Sequence, residues 1–213
     1  MRATTIIGAA AVVVALGVVA GPAVAQRTSS NERIHTHGLF LGVGGGQLTL
    51  ESESLLPPDD GRISLAGRVG YGFGDYVALV VSGDLARIYL THDASESEFE
   101  FAHIGLSARI HPFRALGRFG PFLEGSYLRY AATTDRTVSP ATVPSRLTLE
   151  GTGAAAGAGV HLFLSRVLSL EASAALTDGK LTKATGAGTE EDFDPVPLRS
   201  RLLRVGLTWW LGT

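Results

Sequence analysis

Between Leu203 and Leu211 every second residue is large and apolar (Leu203, Val205, Leu207, Trp209, Leu211), and Arg204, Gly206 and Thr208 between them are charged, small or polar. A period of two puts the first set on one face of a β-strand and the second on the other. The same alternation recurs along the chain and predicts eight strands. Seven run from about His37 to Leu50, Arg62 to Phe73, Tyr76 to Leu90, Phe99 to His111, Pro121 to Ala132, Leu147 to Leu164 and Val167 to Thr177. The eighth is the closing segment, Leu198 to Thr213. The parity of the sixth is ambiguous around Thr152 to Ala158, which leaves room for a bulge.

The connections alternate in length. Glu51 to Gly61, Thr91 to Glu98, Thr133 to Arg146 and Asp178 to Pro197 read as long polar loops, whereas the turns at Gly74, Pro112 and Ser165 are short. This layout predicts an all-β fold, an eight-stranded antiparallel up-and-down transmembrane β-barrel. Long loops of such a barrel face outside and short turns face the periplasm, so both termini are expected to be periplasmic. The first, second and fourth loops are acidic and the turns carry Arg114, Arg118 and Arg166, although charged loops are commonly just solvated.

Turning the apolar parity toward lipid leaves the other parity inside. The outward sets are Ile63, Leu65, Val69 and Tyr71; Val77, Leu79, Val81 and Leu85; Ile104, Leu106, Ala108 and Ile110; and Leu168, Leu170, Ala172, Ala174 and Leu176. The inward sets contain Arg68, Asp84, Arg109, Glu124, Glu171 and Arg204, three cations and three carboxylates from six strands. An unpaired buried charge costs several kcal/mol, so these six are expected to form an ion-pair network in a narrow lumen. Ser82, Ser107, Ser126, Ser169 and Ser173 share the inward parity, as do His103 and His161. The histidines read as satisfied interior groups, or as pH-sensitive members of the network. Eight strands leave an interior just wide enough for side chains to fill, so a wide pore is not expected.

Outside, Arg87, Arg129, Arg199 and Arg201 fall near the outer rim, with Tyr89 and Tyr127 nearby. Tyr71, Phe73, Phe113, Phe122 and Trp209 fall near the opposite ends, and the two sets of aromatics read as the two interfacial girdles. The four arginines are candidates for contact with lipopolysaccharide phosphates, which suit a bidentate guanidinium, or they simply snorkel to the interface.

Ahead of the strands lies an export signal. Arg2 gives a minimal positive start, Ile6 to Ala20 is an apolar or small-residue run, Gly21-Pro22 breaks it, and Ala23-Val24-Ala25 is a cleavage signature. Residues 1–25 therefore read as a cleaved secretory signal peptide and residues 26–213 as a single barrel domain. No later stretch is long and apolar enough for a transmembrane helix. Cysteine is absent, which excludes thiolate metal sites and a cysteine nucleophile. A net charge of −2 offers no nucleic-acid footprint.

Candidate chemistry is sparse. Gly151-x-Gly153-x-x-x-Gly157 looks like a dinucleotide loop, but that loop needs a parallel βαβ unit and the residues after it alternate as strands. His35-x-His37 supplies two imidazoles and no third ligand, and Glu190, Glu191, Asp192 and Asp194 read as a solvated acidic loop before a calcium site. No metal or other cofactor is expected. His92 with Ser95 or Ser97, and Ser107 with His103 or His111, form no distinctive nucleophile–base pair.

The segment Gly120-Pro121-Phe122-Leu123-Glu124-Gly125 and the closing strand Leu203-Arg204-Val205-Gly206-Leu207-Thr208-Trp209-Trp210 resemble the small outer-membrane β-barrel superfamily, meaning the OmpA-type transmembrane domain and its outer-membrane β-barrel relatives. The resemblance covers nearly all of residues 26–213. It implies a Gram-negative cell-envelope protein of the outer membrane, surrounded by lipid and lipopolysaccharide and inserted by the barrel-assembly machinery. That machinery reads a closing aromatic residue, whereas this chain ends Leu211-Gly212-Thr213. The expected role is non-enzymatic: a barrel with a side-chain-plugged lumen and a structural or surface-interaction function, its surface partner unknown. The alternatives are a narrow channel or hydrophobic-ligand conduit, a lipid A-modifying barrel enzyme, and a soluble lipocalin-like periplasmic barrel. The last would turn the mid-strand charges outward.

Overall fold

The computed structural model describes residues 36–52, 62–92, 95–112, 118–136, 145–186 and 189–211. Residues 1–25, read above as a signal peptide, lie outside them, as do His35, Phe113 and Arg114. Eight strands follow in order: β1 (Gly38–Glu51), β2 (Arg62–Gly72), β3 (Val77–His92), β4 (Ser95–Ile110), β5 (Phe119–Arg136), β6 (Ser145–Phe163), β7 (Leu168–Gly186) and β8 (Thr189–Trp210). Each pairs antiparallel with its neighbour in the chain, and β1 pairs with β8 to close the barrel. Closure leaves no sheet edge around the ring, so backbone N–H and C=O groups find partners without help from water.

At one end the strands meet in short turns, and at the other they rise into hairpin arms. Between β2 and β3, the Phe73 N–H donates to the Val77 carbonyl at 2.8 Å. Gly74 makes this turn possible with φ of 84°, a backbone conformation that a side chain disfavours. Between β6 and β7 the Ser165 hydroxyl accepts the N–H groups of Val167 and Leu168 at 3.3 and 3.1 Å.

The opposite end corrects the sequence reading. Much of Thr91 to Glu98, Thr133 to Arg146 and Asp178 to Pro197 is ladder and not loop. β3 reaches His92 and β4 begins at Ser95; β5 reaches Arg136 and β6 begins at Ser145; β7 reaches Gly186 and β8 begins at Thr189. In the arm of β8 the consecutive residues Thr189, Glu190, Glu191 and Asp192 are all exposed, so the side-chain alternation fades there while backbone pairing continues. β6 is regular from Thr152 to Ala158, with Ala154, Ala156 and Ala158 exposed. The register shift lies just above, where Glu150 pairs with Lys183 but Gly151 pairs with Leu181, leaving Thr182 extra on β7.

The interior is layered. At the arm end Leu48, Leu50, Phe101, Leu128, Tyr130, Leu149, Leu181, Leu198 and Leu202 pack into one apolar cluster. At the turn end Phe40, Ala78, Val80, Phe163 and Trp210 form another. The charged side chains lie between them. Outside, Ile63, Leu65, Leu79, Val81, Leu106, Leu123, Leu176, Leu203 and Val205 are exposed and form an apolar belt.

Candidate functional site

Glu171 on β7 is the hub of the polar layer. Its carboxylate accepts Nη1 of Arg68 on β2 and, at 3.2 and 3.3 Å, Nη1 and Nη2 of Arg109 on β4. The Thr208 hydroxyl on β8 adds a fourth donor at 3.3 Å. Arg109 turns its other edge to Glu124 on β5, with Nε and Nη2 at 2.9 and 2.6 Å from Oε2. Its guanidinium also stacks 3.8 Å from the centre of the Phe122 ring, where a cation is attracted to the π-face. Phe122 is therefore an interior residue, only 2% exposed, and not part of the aromatic girdle. The strand parity that carries Glu124 inward carries Phe122 inward with it.

His161 is fully buried beside this group. Its Nε2 lies 3.1 Å from Arg109 Nη1 and its Nδ1 lies 3.2 Å from the Ser169 hydroxyl. A guanidinium can only donate, so Nε2 accepts and Nδ1 carries the proton that it donates to Ser169. The Trp210 indole N–H donates to the same hydroxyl at 3.3 Å.

A second group sits toward the arms. Arg204 on β8 grips Asp84 on β3 in a two-pronged pair, Nε to Oδ1 at 2.8 Å and Nη2 to Oδ2 at 2.5 Å. His103 on β4 places Nε2 3.0 Å from Asp84 Oδ2 and 3.3 Å from Arg204 Nη2. The Ser107 and Ser126 hydroxyls bond each other at 2.7 Å, and Ser126 reaches Glu124 at 3.5 Å. The six charges read from the inward parity thus meet as Arg68–Glu171–Arg109–Glu124 and Arg204–Asp84. In each group the formal charges cancel, which is what a low-dielectric interior requires.

His111 follows β4 at the turn end, where its ring stacks 5.9 Å from that of His161. Burial, and then the charge of Arg109, push its pKa down to about 4. The unfolded chain takes up this proton near pH 6.5, well before the folded one, so stability is lost as the pH falls from about 6.5 toward 4. His111→Phe is expected to flatten that part of a stability–pH curve measured by denaturant titration. An unchanged slope would show that His111 does not contribute to it.

The four rim arginines stand on the outer wall just above the belt, each beside a carboxylate. Arg87 lies 3.7 Å from Glu100, Arg129 3.9 Å from Glu150, Arg199 3.8 Å from Asp178 and Arg201 3.4 Å from Glu51. The sequence reading had placed Ser169 and His161 on the inward face but missed these carboxylates, along with Thr208 and Trp210 as members of the lumen group. Cross-strand register was the absent information: Arg87 faces Glu100 directly, and Arg199 faces both Asp178 and Glu51.

The candidate catalytic pairs do not assemble. Ser107 bonds Ser126, and His103 is taken up by Asp84 and Arg204. The side chains of His92, Ser95 and Ser97 lie outside the described residues. Gly151, Gly153 and Gly157 lie within antiparallel β6, with no helix after them to face a phosphate. His37 packs its ring edge-on against Tyr71. Among the described residues, no group of three or more His, Asp or Glu side chains is placed to hold a metal ion.

No family model and no curated protein matches the chain. Solved structures do. Neisserial surface protein A superposes with a TM-score of 0.62 at 17% identity, covering 83% of this chain and 99% of its own. OprG, an outer membrane protein from Pseudomonas aeruginosa, gives 0.52 at 13% identity, covering 81% and 95%. Ail, the attachment invasion locus protein of Yersinia pestis, gives 0.51 at 12% identity, covering 81% and 99%.

Proposed function

Because the chain has the fold of the small outer-membrane β-barrels, we propose that it resides in the outer membrane as a non-enzymatic barrel with a closed lumen, serving the envelope structurally or through its surface. The observation that carries this reading is the layering of the interior. An apolar cluster at the arm end, a charge-balanced polar layer and an aromatic cluster at the turn end succeed one another along the barrel axis. Ions crossing it would have to pass both apolar layers and break buried ion pairs, each step costing several kcal/mol.

The outer surface supports the membrane setting. The belt of exposed Leu, Ile and Val is bounded at the turn end by Tyr71, Phe73, Tyr76 and Phe119 and at the arm end by Arg87, Arg129, Arg199 and Arg201. Aromatic rings suit an interface, and guanidinium groups suit a leaflet rich in phosphate such as lipopolysaccharide. In this reading the arms face outward, the turns and both termini face the periplasm, and the barrel-assembly machinery inserts the chain.

The test is membrane fractionation with gel mobility of heated and unheated samples, followed by planar-bilayer recording. The expected result is an outer-membrane protein whose mobility shifts on heating and which gives no sustained conductance steps. Lipid A from cells with and without the protein is expected to have the same mass profile. A soluble periplasmic protein, stable open channels, or a lipid A mass change would each overturn the reading.

A further inference from the structure

The belt is not uniform. Across β6, β7, β8 and β1, two adjacent outward rows line up: Ala156, Leu176, Arg201 and Thr49 in one, and Ala158, Ala174, Leu203 and Gln47 in the next. The alanines are too short to fill the wall between the taller Leu176 and Leu203. A groove of about 290 Å³ results, lined chiefly by Ala156, Ala174, Leu176, Leu203, Gln47 and Arg201. That is near the lower end of the range for small-molecule sites, roughly 300–1,000 Å³. It opens sideways from the apolar belt, and at its arm end it meets Arg201 and, one row above, Arg199.

Resting on the membrane reading above, we propose that this groove is a specific lipid site, holding one acyl chain of a phosphate-bearing membrane lipid whose phosphate is bound by Arg201 and Arg199. Apolar walls below and two cations above match such a lipid from tail to head. Both arginines are largely exposed, and their carboxylate neighbours lie at 3.4 and 3.8 Å in single contacts. Exposed pairs of this kind are weak and leave guanidinium N–H groups for a phosphate, which takes two at once. Elsewhere the belt offers large side chains: Leu79 projects from β3, Leu106 from β4 and Leu123 from β5.

The probe is a bis-phosphorylated, hexa-acylated glucosamine disaccharide lipid, added to the purified full-length barrel in detergent and followed by native mass spectrometry. The wild-type barrel is expected to retain one copy. Ala156→Phe with Ala174→Phe fills the groove from outside the barrel and is expected to lower retention about tenfold. Arg199→Gln with Arg201→Gln, or a dephosphorylated probe, is expected to lower it several-fold, while Leu106→Phe on the far wall leaves it unchanged. Heat-shifted gel mobility reports that each variant is a closed barrel. Equal retention by a closed, groove-filled variant would overturn the site, since the lipid would then be ordinary annular lipid. No retention by a closed wild-type barrel would also overturn it and leave the membrane reading intact, whereas a soluble wild-type protein would remove both.

Discussion

Glu171→Ala is expected to destabilise the barrel by roughly 3–5 kcal/mol, the cost of removing one partner from a buried ion pair. Glu171 is 1% exposed and joins Arg68 to Arg109. Without it, Arg109 keeps Glu124, but Arg68 is left charged, 4% exposed and with no carboxylate bonded to it. Arg68→Met combined with Glu171→Leu removes both charges together and is expected to recover most of the loss, because the penalty arises from the orphaned charge and not from the missing attraction. Denaturant midpoints of the two variants in detergent check this. If the single variant lies within about 0.5 kcal/mol of wild type, the lumen admits enough water to solvate Arg68, and the closed-lumen reading fails with it.

Gly46→Val is expected to prevent or severely weaken closure. Gly46 lies on β1 at the seam, opposite Arg204 of β8 and Ser64 of β2. A Cβ at this position would run into the Leu203 carbonyl and come within 3.2 Å of the Arg204 Cα. These are backbone atoms held by the ladder, so the obstruction cannot be relieved by a rotamer change. Overpacking against yielding side chains costs about 1–3 kcal/mol, and a rigid backbone is expected to exceed that. Gly125→Ala is the control, since nothing lies within 4 Å of a Cβ built there. The fraction of protein running as the compact, unheated gel species reports the outcome. Equal fractions for the two variants would show that the seam can shift to make room.

Much of this barrel was legible in the sequence because lipid and lumen impose opposite demands on alternate residues. Leu79, Val81, Arg68 and Glu171 declare their faces by type alone. The same rule failed where the demands relax. In the arms, Thr185 and Glu190 both meet water, so nothing in their chemistry announces that they are paired across β7 and β8. Inside the barrel, Leu202 shares the parity of Arg204, yet parity alone does not reveal that the apolar residues segregate to the two ends. Phe122 was misplaced because an aromatic near a strand terminus suits a girdle as well as an interior stack. Which charge meets which is a matter of stagger around the ring. Arg68 and Glu171 are 103 residues apart and lie on non-adjacent strands, a relation no local pattern encodes.

The seam between β1 and β8 also bears on how this chain is ordered from end to end. All other pairings join strands that are neighbours in sequence, and the two ends of the barrel lie side by side, the Leu211 N–H donating to the Leu39 carbonyl at 2.7 Å. Chain order around the ring is thus nearly arbitrary. Linking the two ends and cutting at Gly74-Asp75 would yield a circular permutant with the same ladder, in which β2 and β3 form the last-closing contact and the glycine-rich β1 becomes an internal strand.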